Sequence, residues 1–307
     1  MLRYFMIIFF QFLVIFGVLL LLFNRSFSST PGTKQTYVQL AALQKEQEDV
    51  LKGDKRVLGE SISPSPLPRP TMLLTLLTTP VPLPTQPIVT VIPDQSNYTI
   101  SLIGDSMVDT MGEVLEYLEH ELVRKYPNTN FNLYNYGIGS QNVKDAYERF
   151  DEEFHNNDRN YPPLNQIHSD ILIIGSFAYN PFSPHNIDLH TEYLDKIIEK
   201  GKNTSDQVYL LAEMAPTKVS FGQGPGGVNW GSLESYQQAT NIISLLENTQ
   251  RLGKKKGIPL INVYNQTIVK ADKSGDPKYI NTHDNIHPSI KGHEFMAKVI
   301  VDTIKLD

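Results

Sequence analysis

Beyond about residue 96 the chain reads as an α/β domain, with helices covering both faces of a parallel sheet. Two observations predict this fold class. Five short apolar runs follow one another, and segments of helical periodicity fill the gaps between them. Such alternation calls for crossover connections, which are right-handed within one sheet and leave the strands parallel.

The runs are YTISLIG (98–104), NFNLYNYG (130–137), DILIIGS (170–176), QVYLLAE (207–213) and IPLINVY (258–264). The helical segments are VDTMGEVLEYLEHELVRKY (108–126), NIDLHTEYLDKIIEK (186–200) and WGSLESYQQATNIISLLENTQRLGKK (230–255), and IKGHEFMAKVIVDTIK (290–305) closes the chain. In a sheet of this kind ligands bind beyond the carboxyl ends of the strands, so the loops that follow the runs are where a site is expected.

Ahead of this domain the composition changes three times. Phe5 to Phe23 is apolar and uncharged, interrupted only by Gln11, close to the roughly 20 residues a helix uses to cross a bilayer. A cleavable leader has a shorter apolar region of about 7 to 15 residues, although Ser26 and Ser28 leave cleavage open. Residues 35–57 read as a polar helix. From Ser61 to Asp94 prolines recur at short, irregular intervals, which favours an extended spacer. The expected organisation is therefore a transmembrane anchor (1–25), a polar and partly helical stalk (26–60), a Pro-rich linker (61–95) and the α/β domain (96–307). A single amino-terminal span in contact with the lipid bilayer implies an extracytoplasmic domain.

With 307 residues, 40% of them hydrophobic, the chain can build a substantial core. The 27 basic and 33 acidic residues give a formal charge of −6, and the short run Lys254, Lys255, Lys256 makes no basic stripe, so nucleic acid is not an expected partner. The absence of cysteine rules out disulfides, thiolate metal sites and cysteine nucleophiles.

Chemistry-bearing residues cluster behind the runs. Gly104, Asp105 and Ser106 follow the first; Asn135, Tyr136, Gly137, Ile138, Gly139 and Ser140 end and follow the second; Gly175 to Pro181, with Asn180, follow the third. THDNIHPS (282–289), with Asp284 and His287, precedes the last helix. A serine hydroxyl becomes a nucleophile when histidine takes its proton, the histidine needs a carboxylate to fix its tautomer, and the oxyanion formed on attack needs preorganised donors. His283 and His287 are four apart, but Pro288 disfavours the helix that would align them as metal ligands. FGQGPGGVNW (221–230) lacks the ending of a phosphate loop and reads either as a flap carrying Trp230 or as a flexible loop. His283 and His293 read as loop and helix residues flanking His287, and the other histidines (120, 155, 168, 185, 190) as surface or packing residues.

GDS after the first run, N-x-G-x-G in the second block and D-x-x-H-P before the final helix resemble the SGNH/GDSL hydrolase superfamily. The resemblance spans nearly all of residues 98–307. It implies a three-layer α/β/α sandwich with a flavodoxin-like parallel sheet of about five strands. By the same resemblance Ser106 is the nucleophile, His287 the base and Asp284 its orienting partner. The oxyanion donors are Ser106, a backbone amide at Gly139 or Ser140, and Asn180. The third block departs from the family's G-x-N-D, because Phe177 stands where the asparagine belongs. The implied function is ester hydrolysis through an acyl-enzyme, without metal or other cofactor, and the tether on a Pro-rich stalk points to acetyl or short acyl esters of surface polysaccharide as substrate. An acyltransferase acting on a surface glycan and a non-catalytic binding module on the same scaffold are the alternatives.

Overall fold

The computed structural model describes residues 95–269 and 271–306. The anchor, the stalk and the linker up to residue 94 lie outside the described residues. Among the described residues no helix is long and apolar enough to cross a membrane.

Five parallel strands form the sheet: β1 (Asn97–Gly104), β2 (Asn130–Gly137), β5 (Ile171–Gly175), β6 (Gln207–Ala212) and β7 (Leu260–Asn262), in the order β2-β1-β5-β6-β7. The five apolar runs are these strands. Along β5 and β6 every second residue joins the same core layer: Ile171, Ile173, Tyr209 and Leu211 on one face, Leu172, Ile174, Val208 and Leu210 on the other. Both faces are buried, as expected of a parallel sheet covered by crossover helices.

On the first face lie α2 (Glu116–Lys125) and α8 (Ile290–Thr303), which bury Leu118, Leu122, Met296 and Ile300. On the second lie α3 (Val143–Glu148) and α5 (Ile187–Thr204), burying Val143, Ala146, Leu194, Ile197 and Ile198. The long α6 (Ser232–Lys256) packs a third cluster of Ala239, Ile242, Leu245 and Leu246. It ends on Gly257 at φ 68°, a left-handed cap that suits glycine, with Lys254, Lys255 and Lys256 in the last turn facing the carbonyl end of the helix dipole. The short helices are α1 (Ser106–Asp109), α4 (Leu164–Ile167) and α7 (Tyr264–Thr267).

Two elements differ from the sequence expectation. The periodic stretch 108–126 is not one helix: α1 stops at Asp109 and α2 begins at Glu116. Asn135 causes the break. Its Nδ2 donates to the carbonyls of Val108 (3.2 Å), Asp109 (3.3 Å) and Gly112 (2.6 Å), which a continuing helix would have used itself. Gly112 turns the chain at φ 100°, in the left-handed region that glycine tolerates. The second difference is a hairpin of β3 (Phe154–Asn156) and β4 (Arg159–Tyr161), too short and polar to show a strand pattern. It carries Arg159 into a buried ion pair with Asp109.

Chain connection reverses direction between β1 and β5, since β2 lies on one side of this pair and β6 and β7 on the other. The loops after β1 and β5 flank the crevice that such a switch point opens.

Candidate active site

Asp105 leaves β1 in an extended conformation and caps α1, its Oδ1 accepting Met107 N–H at 3.0 Å. Ser106 is therefore the first residue of a helix at the carboxyl edge of the sheet, 4% exposed. Its amide is one of the helix's orphan donors and has no partner among the described residues, while Thr110 fastens its carbonyl through both N–H and Oγ1.

Asp284 and His287 sit in a tight, non-helical loop between Ile280 and Pro288, which pair antiparallel. Asp284 Oδ1 accepts the amides of Ile286 (2.7 Å) and His287 (3.0 Å), and Oδ2 meets His287 Nδ1 at 2.8 Å. A carboxylate can only accept, so Nδ1 carries the proton and Nε2 is the basic nitrogen. Nε2 is buried and has no hydrogen-bond partner among the described residues. Burial pushes the Asp284 carboxyl up, but the charge of His287 and these three hydrogen bonds outweigh it and hold the carboxyl below the usual range. The carboxylate thus stays ionised wherever the histidine can act as a base.

Loop 221–230 braces this corner. Gly222 N–H donates to Asn285 O (3.2 Å), Gly226 N–H to His283 O (2.9 Å), and Asn285 Nδ2 returns a bond to Gln223 O. Trp230 stacks on Phe221 with centroids 6.4 Å apart. The stretch is thus neither a free flap nor a slack loop but a backbone-bonded support for the Asp284–His287 turn.

Behind the second strand the two candidate amides separate. Gly139 N–H is committed to Asp109 Oδ2 at 3.1 Å, so it is not available to an oxyanion. Ser140 N–H has no partner among the described residues, and Ser140 holds φ 61°. Of the pair, Ser140 is the one whose amide is free.

In the third block, Phe177 stands at the family's asparagine position with φ 55° and its ring buried in the second core layer. The turn that follows closes through Asn180 N–H to Phe177 O (3.3 Å) and delivers Asn180 to the site: one Nδ2–H donates to Asp105 Oδ2 at 3.1 Å. An amide has two such protons, and the second is uncommitted among the described residues. Asn180 is thus seated against Asp105, the neighbour of Ser106, by a longer loop than the family pattern uses. Asp105 lies within electrostatic reach of His287 as well.

The family described as GDSL-like lipase/acylhydrolase matches residues 100–300. The chain belongs to that family. This GDSL hydrolase is accordingly a serine ester hydrolase, its matched region running from β1 to near the end of α8. Its fold is shared by a mutant of an acetyl-xylooligosaccharide esterase from Geobacillus stearothermophilus, at 15% identity and TM-score 0.50 over 70% of this chain and 96% of that one. A GDSL-like lipase from Bacteroides thetaiotaomicron is similar at 18% identity and TM-score 0.48, over 67% and 86% of the two chains. A lipase/acylhydrolase from Enterococcus faecalis is similar at 17% identity and TM-score 0.48, over 67% and 94%. No curated protein sequence matches the chain.

Sequence reasoning missed three residues around this site: Asp109, which takes the Gly139 amide; Arg159, which pairs with Asp109; and Glu213, whose Oε1 accepts Ser176 N–H at 2.9 Å directly behind the third block. A glutamate closing the otherwise apolar run QVYLLAE was the one visible signal for the last.

Proposed function

We propose that this GDSL hydrolase cleaves acetyl or short acyl esters through a covalent acyl-enzyme on Ser106. The observation that carries the reading is the Asp284–His287 pair, 2.8 Å apart and buried, with its basic Nε2 left without a partner among the described residues. Ser106 Oγ attacks the ester carbonyl carbon as His287 Nε2 takes its proton. The carbonyl oxygen becomes an oxyanion that accepts from the amides of Ser106 and Ser140 and from Asn180 Nδ2. The imidazolium, stabilised by Asp284, then protonates the departing alkoxide, and the C–O bond breaks. Water, deprotonated by the same nitrogen, attacks the acyl-serine and releases the carboxylic acid.

Carbohydrate acetyl esters are the first substrates to try. An esterase of acetylated xylooligosaccharides shares the fold, and the apolar stretch Phe5–Phe23 followed by a proline-rich spacer supports an extracytoplasmic domain tethered at a membrane, within reach of surface polysaccharide. Covalent labelling with a fluorophosphonate tests the centre of the reading. Wild type should take up the probe at Ser106 and hydrolyse p-nitrophenyl acetate, and Ser106→Ala should do neither. An intact, folded wild type that the probe leaves unmodified would refute it. Carbonate washing of membranes tests the tether, because an anchored chain stays in the pellet and a released one contradicts the span.

A further inference from the structure

Glu213, the first residue after β6, is completely buried. Its Oε1 accepts Ser176 N–H at 2.9 Å, and Oε2 accepts from Ser176 Oγ, which in turn accepts Ala178 N–H at 3.1 Å. The strand ends make room for it. A Cβ on Gly175 would stand 2.8 Å from Glu213 Oε1 and 3.3 Å from Gly104 Cα, so β5 ends in the one residue that lets the carboxyl lie against the backbone there.

A second buried carboxyl, Asp105, is close enough to raise the energy of a charge on Glu213. From the third block Tyr179 faces both carboxyls, its phenol donating to Met214 O at 3.0 Å. From α5, His190 Nε2 donates to Ser176 O at 2.7 Å, and from α6 Asn248 Nδ2 donates to His190 Nδ1 at 3.0 Å, which leaves that imidazole neutral. His287 acts on Asp105 from the catalytic loop, and Asp284 acts on Tyr179. Glu213 makes no ion pair among the described residues. Asp105 has the better claim to the negative charge of the two: it accepts from the amides of Met107 and Tyr179 and from Asn180, and His287 is near. Two carboxylates in a buried site with a single charge between them keep one proton.

We infer that Glu213 is a positioning residue of the esterase: as a neutral acid it seats Ser176 and the turn through Asn180 beside Asp105, and its ionisation unseats them. The inference rests on the esterase reading of the site. Burial, reinforced by the charge of Asp105, pushes the Glu213 carboxyl up to about 8. The ionised form would therefore appear on the alkaline side, putting two like charges beneath the turn that holds Asn180.

The experiment compares kcat and KM for p-nitrophenyl acetate in wild type, Glu213→Gln and Glu213→Ala from pH about 6 to about 10. Wild-type kcat should fall about tenfold on the alkaline side with KM changed less than about twofold, since the lost contact serves the oxyanion and not substrate binding. Glu213→Gln, neutral at every pH, should keep the plateau kcat within about threefold and lose the alkaline fall. Glu213→Ala should lower kcat about tenfold or more throughout. Superimposable profiles for wild type and Glu213→Gln would overturn the inference. A second readout is independent of turnover. In the Ser106→Ala background, the infrared carbonyl band of a buried carboxylic acid at neutral pH should vanish on Glu213→Gln. If it persists, Glu213 does not hold the proton. Fluorophosphonate labelling of the same wild-type sample separates the two failures, because an unlabelled Ser106 refutes the esterase reading whatever the infrared band does.

Discussion

At the scale of single residues, the features that mark the candidate serine, histidine and aspartate are local in the sequence. Ser106 follows its own cap, and Asp284 and His287 share one turn. Asp284→Asn would remove the charge that opposes the imidazolium and allow the wrong tautomer, so kcat should drop by about 10²- to 10⁴-fold with KM nearly unchanged, read from steady-state kinetics. The choice between Gly139 and Ser140 could not be read, because it is decided by Asp109, thirty residues earlier in the chain. Ser140 holds φ 61° and its Oγ is buried without a hydrogen-bond partner. Ser140→Gly keeps the amide while relieving both, so denaturant unfolding should show a gain of about 1 kcal/mol and the assay an undiminished kcat.

At the scale of elements, periodicity located the strands and the long helices but could not show where a side chain would interrupt one. The break between α1 and α2 belongs to Asn135, which is in β2 and takes three carbonyls from the segment ahead of it. Asn135→Leu should destabilise the domain by about 2 to 4 kcal/mol, measured by chemical denaturation, because the buried Gly137 amide loses its acceptor and the carbonyls at the break lose the donor that joins them. The β3–β4 hairpin was invisible for a different reason: its strands are three residues each and mostly polar, and Arg159 and Asn156, which it brings to Asp109, meet that residue only in the fold. Arg159→Met would remove the guanidinium from the buried Asp109 carboxylate, to which Asn156 Nδ2 and Gly139 N–H still donate, and should cost about 1 to 3 kcal/mol in denaturant unfolding. The third block shows the converse case. Phe177 breaks the family pattern, yet the residue named in its place, Asn180, reaches Asp105 because the turn lengthens to bring it there.

At the scale of the whole molecule, the domain carries carboxyls shifted in opposite directions, and they give stability opposite pH dependences. Asp284 lies below its ordinary range, so its contribution is present above that range and is lost on acidification. Glu213 is raised to about 8, so its contribution is present in acid and is lost as pH climbs from the unfolded value of 4.5 through 8. Glu213→Gln should therefore unfold at the same or a higher denaturant concentration than wild type, with the gap widening between pH about 5 and about 9.

The support that loop 221–230 gives to the Asp284–His287 turn makes the connection between β6 and α6 a remote control element for the proposed base. Changes of length or sequence there leave Ser106, Ser140 and Asn180 as they are. They do alter Gly222, Gln223 and Gly226, whose bonds to His283 and Asn285 frame the turn. Pro225, at the exposed tip, is a natural place for a backbone cut or an inserted segment. A chain opened at that point should stay folded around its five strands and still present Ser106, but turn over slowly. Relatives with different segments grafted between β6 and α6 would then differ in catalytic rate while keeping the same serine, histidine and aspartate.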